Sequence, residues 1–273
     1  NIMIEEKSTS ILEKLEAEIS SYKRVLIALS GGVDSSLAAY LSRKFLGKNN
    51  AIAVISNSAS LKRNDLEIAK QFCEQYDIKY EIILTNELND SNYTDNPQNR
   101  CYFCKNELYD SLSKLIESKY NGFKIINGNN YSDLGDYRPG LAAAEEQNVF
   151  SPFINCKVNK NDIREIARKF ELPVWDKPAS PCLSSRFPYG EKITIENLRR
   201  VEDAETVLNE FGFNEVRVRS YGDTARIEVP SENVMQLKEV FHELSEKILS
   251  IGFTNCEIDE EGFISGKMNR ALS

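Results

Sequence analysis

Three sets of residues have the types and spacing that chemistry needs. The first is Ser30-Gly31-Gly32-Val33-Asp34-Ser35, with Ser36 directly after it. Gly31 and Gly32 let backbone N–H groups come close to an anion, and Ser30, Ser35 and Ser36 add hydroxyl donors. Asp34 suits a magnesium ion beside a pyrophosphate leaving group. The turn is not a Walker A loop, because the lysine of G-x-x-x-x-G-K-[ST] is absent. The second set is three cysteines: Cys101 and Cys104 in Arg100-Cys101-Tyr102-Phe103-Cys104-Lys105, and Cys182 in Ser180-Pro181-Cys182-Leu183-Ser184-Ser185-Arg186. A helix N-terminus with Arg100 and Lys105 beside it favours thiolates at the pair, and Arg186 lies within reach of Cys182. Zinc normally takes a fourth Cys or a His, and no good candidate is offered. Three cysteines with no fourth ligand suit a 4Fe–4S cluster with one iron left open, while a redox pair or three unconnected thiols stay open on spacing alone.

The third set is arginine. If Gly222-Asp223 is a two-residue hairpin turn, Val218 faces Ile227 in the core and Arg217 opposes Glu228. Arg219 then opposes Arg226 on the outer face. Like charges directly opposite one another are destabilising unless an anion lies between them, and a mononucleotide phosphate on Arg217, Arg219 and Arg226 would fill that role. A solvated face neutralised by Glu228 is the alternative.

The elements that must position these groups are legible from periodicity. Val25-Leu26-Ile27-Ala28-Leu29 is a buried strand, and the serine turn leads from it into a helix beginning near Asp34. Further strands are expected at 51–56, 79–84 and 123–127, and helices near 8–22, 60–76, 102–119, 140–148 and 161–170. Strands alternating with helices predict an α/β fold, a doubly wound and mostly parallel sheet. Nucleotide then binds at the carboxyl ends of the strands, where Ala28, Ser30, Ser56 and Gly128 are placed beside it. The prolines of 178–190 mark a boundary: residues 1–187 form the nucleotide domain. Residues 188–273 form a smaller α+β domain for substrate binding and oligomerisation, with helices at 194–210 and 231–250 and strands near 214–220, 225–229 and 253–258.

Composition narrows the function. No apolar run approaches the ~18–20 residues that a membrane helix needs, and no secretory leader pattern opens the chain, so a cytoplasmic enzyme is expected. A net charge of −8 argues against a broad nucleic-acid footprint while leaving room for a small anion held by a few arginines. The single histidine, His242, removes Ser-His-Asp triads and histidine-rich metal sites, and falls beside the apolar stripe of its helix as a structural residue. Cys73, Cys156 and Cys256 read as structural thiols.

The serine turn resembles the PP-loop, SGGxDS, of the ATP pyrophosphatase superfamily, whose members cut ATP between the α- and β-phosphates to adenylate a carbonyl or carboxylate. Four further segments make the resemblance specific: Asn99–Lys105, Asp136-Tyr137-Arg138-Pro139-Gly140-Leu141, Pro181–Arg186, and Arg217-Val218-Arg219 with Ala225-Arg226-Ile227-Glu228. Together they resemble, from about residue 8 to 270, the LarE family of ATP-dependent sulfur transferases of nickel-pincer cofactor synthesis. The resemblance implies ATP and Mg2+, a pyridinium-3,5-biscarboxylic acid mononucleotide substrate, adenylation of its carboxylate and conversion to a thiocarboxylate. It implies Asp34, Cys182 and Arg186 as catalytic residues, sulfide or another sulfur donor as partner, and a homo-oligomer. Single-cysteine members sacrifice the cysteine matching Cys182, leaving dehydroalanine. This sequence departs from them by carrying Cys101 and Cys104, like three-cysteine members whose thiolates hold an iron–sulfur cluster. Competing classes are a tRNA-thiolating PP-loop enzyme, an amide-forming ligase of the NAD or GMP synthetase kind, and a non-enzymatic iron–sulfur module.

Overall fold

The strands of the first half each send alternate side chains to opposite faces, and this decides which helices cover which side. In the computed structural model, which describes residues 2–135 and 139–264, β1 (Val25–Leu29), β2 (Ala51–Ser56), β3 (Lys79–Ile83) and β4 (Lys124–Ile126) form one parallel sheet in the order β3-β2-β1-β4. Val25, Ile27 and Leu29 of β1 and Ala51, Ala53 and Ile55 of β2 point to one face. There they meet α1 (Ile2–Tyr22), α2 (Val33–Leu46), α3 (Arg63–Gln75) and α8 (Lys160–Lys169) through Leu15, Leu37, Phe72 and Ile163. Leu26, Ile52 and Val54 point the other way, to Tyr109 and Leu112 of α5 (Arg100–Ser118) and Ala143 and Ala144 of α6 (Pro139–Glu146). Near-continuous apolar strands covered on both faces are what an all-parallel sheet requires. Strand order reverses direction between β1 and β4, so the loops after these two strands meet at the switch point where α/β sheets bind ligands.

Two short helices, α4 (Ser91–Thr94) and α7 (Pro152–Asn155), complete the first part of the chain. Beyond it come α9 (Ile195–Glu210), β5 (Arg217–Tyr221), β6 (Thr224–Glu228), α10 (Val234–Ser250) and β7 (Asn255–Ile258). β5 and β6 are an antiparallel hairpin, and β7 joins β6 in parallel after the α10 crossover. Val218, Ala225 and Ile227 are fully buried on one face of this sheet, with apolar stripes of α9 (Leu198, Val201, Leu208) and α10 (Leu237, Leu244, Ile248) completing that core. His242 is exposed on α10.

The chain divides into two compact units, Asn1–Glu87 with Asn99–Ser180, and Leu88–Gln98 with Pro181–Ser273. The change expected at 187/188 thus falls at 180/181, and an excursion from the first half joins the second unit. The reason is hydrogen bonding: the Asn96 side chain donates to Pro188 O at 2.7 Å, Gly190 N donates to Asn96 O, and Ile193 N donates to Thr94 O. Residues 136–138, part of one segment that carried the family resemblance, lie outside the described residues.

Candidate active site

The phosphate-type turn is built as its sequence requires. Gly31 has φ +77°, and a Cβ there would lie 3.0 Å from Asp65 O, so both conformation and space demand glycine. Ser35 closes the turn: its hydroxyl accepts from Ser30 N at 3.1 Å, donates to Gly32 O at 3.2 Å, and lies 3.0 Å from the Ser30 hydroxyl. Gly32 is the N-cap of α2 without a side-chain cap, leaving the helix's first N–H groups open to an anion. Gly128, expected beside nucleotide, packs on the turn itself. A Cβ there would lie 2.6 Å from Ser35 N and 2.8 Å from Asp34 C. Ser56, at the end of β2, shares a hydrogen bond with Thr85 at 2.8 Å. Ala28 is partly buried among the residues of the α5 face.

Two lysines bracket the turn, and neither was visible in the sequence pattern. Lys160 Nζ bonds Asp34 Oδ2 at 2.5 Å, while Asp34 Oδ1 and Ser36 Oγ are buried without a hydrogen-bond partner. Lys177 Nζ donates to Gly31 O at 3.0 Å and to Asp65 Oδ1 at 2.8 Å, and Ser180 donates to Asp65 Oδ2 at 2.6 Å. Asp65, in the first turn of α3 and buried, therefore anchors the segment that carries Lys177 and Ser180 to the same turn. Orphaned buried oxygens are rare in native proteins, and two of them in one anion-shaped turn fit a magnesium–nucleotide complex.

Cys101 and Cys104 occupy the first turn of α5, with Cys101 exposed and Cys104 partly so. Cys182, in the second unit, is the N-cap residue of a short 3₁₀ turn, Leu183–Arg186. All six cysteines are thiols, and among the described residues no three His, Cys, Asp or Glu side chains gather as a set for one metal ion. As a donor set, three soft thiol ligands suit iron–sulfur chemistry. Burial pushes the Cys73 thiol up to about 12 and Cys256 up to about 11, and it also raises Cys156, as expected of structural thiols.

Arg186 was expected to act on substrate, but its side chain is 1% exposed and already engaged. Nε and Nη2 grip Glu205 at 2.7 and 3.1 Å, and Nη1 donates to Pro181 O at 3.1 Å and to Ser185 Oγ at 2.8 Å. Glu205 also accepts from Val218 N, so this buried pair clamps the Cys182 turn to α9 and β5. Arg186 positions the thiol loop.

The hairpin register is as derived: Arg217 opposes Glu228, Val218 opposes Ile227, and Arg219 opposes Arg226. The side chains differ from expectation. Arg219 is buried rather than on an outer face, because the loop before it covers that end. It grips Glu228 at 2.9 Å and donates to Ser185 O at 2.6 Å. Arg226 turns away to Glu257 at 2.6 Å, and no anion is needed between the two. Of the three hairpin arginines, Arg217 is the one with no ion pair or hydrogen bond among the described residues; it stacks on Phe263 at 4.0 Å. Burial, then the charges of Arg186 and Arg219, lower its pKa to about 10. A desolvated cation beside two like charges is a site that an anion would relieve.

A family model described as NAD synthase matches residues 3–106, a span that holds the serine turn and the Cys101–Cys104 pair. An uncharacterized protein of Synechocystis sp. is 46% identical over 267 residues, covering 97% of this chain and 98% of its own. The pyridinium-3,5-bisthiocarboxylic acid mononucleotide synthase of Lactiplantibacillus plantarum is 32% identical over 259 residues, 95% of this chain and 94% of the synthase. The chain belongs to the pyridinium-3,5-bisthiocarboxylic acid mononucleotide synthase family. Membership in the synthase family extends over both units. The likeness to the NH(3)-dependent NAD(+) synthetase of Thermococcus kodakarensis, 40% identical, covers only 29% of this chain and 30% of that one. The NAD synthase match ends at residue 106, short of Cys182 and the three hairpin arginines. Among the described residues no helix is long and apolar enough to cross a membrane.

Proposed function

We propose that the protein is an ATP-dependent sulfur transferase that adenylates a carboxylate of pyridinium-3,5-biscarboxylic acid mononucleotide and replaces it with a thiocarboxylate. The observation that carries the first half is the phosphate-type turn with its orphaned Asp34 and Ser36 oxygens. A carboxylate oxygen of the substrate attacks the α-phosphorus of ATP, the bond to pyrophosphate breaks, and an acyl adenylate results. The N–H groups at the start of α2 and the serine hydroxyls receive the departing pyrophosphate. Asp34 would hold Mg2+, which when bound would supply charge to offset the pyrophosphate leaving group. Sulfide then displaces AMP at the acyl carbon. The substrate's own phosphate binds Arg217, with Arg219 beside it and Arg226 at the periphery.

The sulfur would enter through Cys101, Cys104 and Cys182, whose thiolates would hold a 4Fe–4S cluster. Such a cluster, when bound, offers sulfide at the iron that no cysteine ligates. What supports this ligand set is the donor chemistry: a C-x-x-C pair and a third thiol, none of them buried, are soft ligands suited to iron–sulfur chemistry. The negative charge of −8 favours a small mononucleotide over tRNA as substrate. On this reading the protein works in the cytoplasm as a homo-oligomer.

The test is anaerobic preparation followed by iron and sulfide analysis and turnover with ATP, Mg2+, the dicarboxylic mononucleotide and sulfide. The reading expects bound iron, AMP with pyrophosphate, and repeated turnover. ADP with orthophosphate would remove the adenylation step. Loss of the elements of hydrogen sulfide from Cys182 would show a sacrificed cysteine instead of a cluster.

A further inference from the structure

Lys160 stands in an odd place for a structural lysine. It is the first residue of α8, where the positive end of the helix dipole disfavours a cation. The helix does not need it for docking. Asn159 and Asp162 form a reciprocal capping box, Lys160 N donates to Ser132 Oγ, and Ile163, Ile166 and Ala167 are buried in the core. Its ammonium instead reaches Asp34 Oδ2 at 2.5 Å, with the two side chains 36% and 27% exposed. Asp34 is left half satisfied, because Oδ1 is buried and has no partner. A carboxylate with one oxygen on a monocation and the other unused has capacity for a more highly charged partner.

We propose that Lys160 is a placeholder cation for the divalent metal at Asp34. In the nucleotide-free protein its ammonium neutralises the carboxylate and repels a free metal ion. A divalent ion therefore enters together with nucleotide, whose phosphates offset its charge and receive the displaced ammonium. Lys160 is in this sense a positioning residue: it fixes the order of loading and leaves an extra cation beside the phosphates. The proposal rests on the reading of the serine turn as a magnesium–nucleotide site.

The experiment measures Mn2+ binding by the full-length chain through its electron paramagnetic resonance signal, without nucleotide. Lys160→Met and Lys160→Gln keep the side-chain stem and the helix start, and thermal melts verify that both are folded. Removing a monocation that competes for Asp34 should tighten nucleotide-free Mn2+ binding by at least about tenfold, and Asp34→Asn in the same background should abolish the gain. Unchanged or weaker Mn2+ binding in both lysine variants would overturn the placeholder role. So would a gain that survives Asp34→Asn. A separate arm adds a non-hydrolysable ATP analogue to the wild type. There, Mn2+ binding that fails to depend on Asp34 would overturn the nucleotide reading, whatever the lysine variants show.

Discussion

Gly128→Ala is the sharpest perturbation available at the serine turn. The added methyl carbon would lie 2.6 Å from Ser35 N and 2.8 Å from both Asp34 C and Ser35 Cα, where ordinary contact begins at 3.4 Å. All three neighbours are backbone atoms at the start of α2, so no side chain can rotate out of the way. Relief needs a shift of about 0.8 Å, shared between the loop after β4 and the turn after β1. Overpacking of this kind costs about 1–3 kcal/mol, and backbone neighbours put this case near the upper end. At roughly 2–4 °C per kcal/mol for a protein of this size, the melting temperature should fall by about 5–10 °C. The functional loss should be larger in proportion. A displacement approaching 1 Å in a group that positions reactants costs up to ~100-fold, so kcat/KM for ATP should drop ~10–100-fold in a pyrophosphate-release assay. Gly135→Ala is the control, because a Cβ there meets nothing within 4 Å. An alanine at 128 that melts and turns over ATP like the wild type would show that the close approach of the two loops does not govern the turn.

Arg217→Met should weaken binding of the substrate mononucleotide at least tenfold while raising the ligand-free melting temperature at neutral pH. The folded pKa of Arg217, about 10, lies well below that of a free guanidinium, so its charged form is penalised in the native state. That penalty is complete below about pH 10 and fades as pH rises beyond it. Inorganic phosphate should stabilise the wild type and leave Arg217→Met unmoved; equal stabilisation of both would place the anion elsewhere. The thiols of Cys73 and Cys256 predict an alkaline weakness of opposite sign. Cys256 and Cys73 have folded pKa values raised from 9.0 to about 11 and about 12, so their contribution is whole below pH 9 and is lost as pH rises through those values. Native-state alkylation at pH 8 should accordingly spare Cys73, and its rapid labelling would contradict its burial.

Strand periodicity located the sheet closely: Val25–Leu29 and Ala51–Ser56 are strands within a residue of expectation, because continuous apolar runs leave little else for a chain to do. The hairpin register followed from one turn, Gly222-Asp223. Side-chain partners were not legible in the same way. Arg219 chose the diagonal Glu228 over its direct neighbour, and Arg226 found Glu257 on β7, a strand whose pairing depends on the α10 crossover. Lys160 and Lys177 reach the serine turn from 126 and 146 residues away, and nothing local to either marks it. Alternation and turn chemistry are short-range signals. Long, flexible cations are placed by tertiary contacts.

The excursion Leu88–Gln98 gives the protein a topology that resists dissection. The polypeptide passes from one unit to the other three times, after Glu87, Gln98 and Ser180. A chain ended at Ser180 would carry Tyr93, Thr94 and Asn96 without their partners, and a chain begun at Pro181 would lack the residues that hold Ser184, Pro188, Gly190 and Ile193. Neither unit is thus a cassette that recombination could lift out whole. Synthesis must also run past residue 190 before the excursion finds its place, so half-made chains emerge with that segment unsatisfied. Cys101 and Cys182 each follow a passage within three residues, which ties two of the proposed cluster ligands to the points where the architecture cannot be cut.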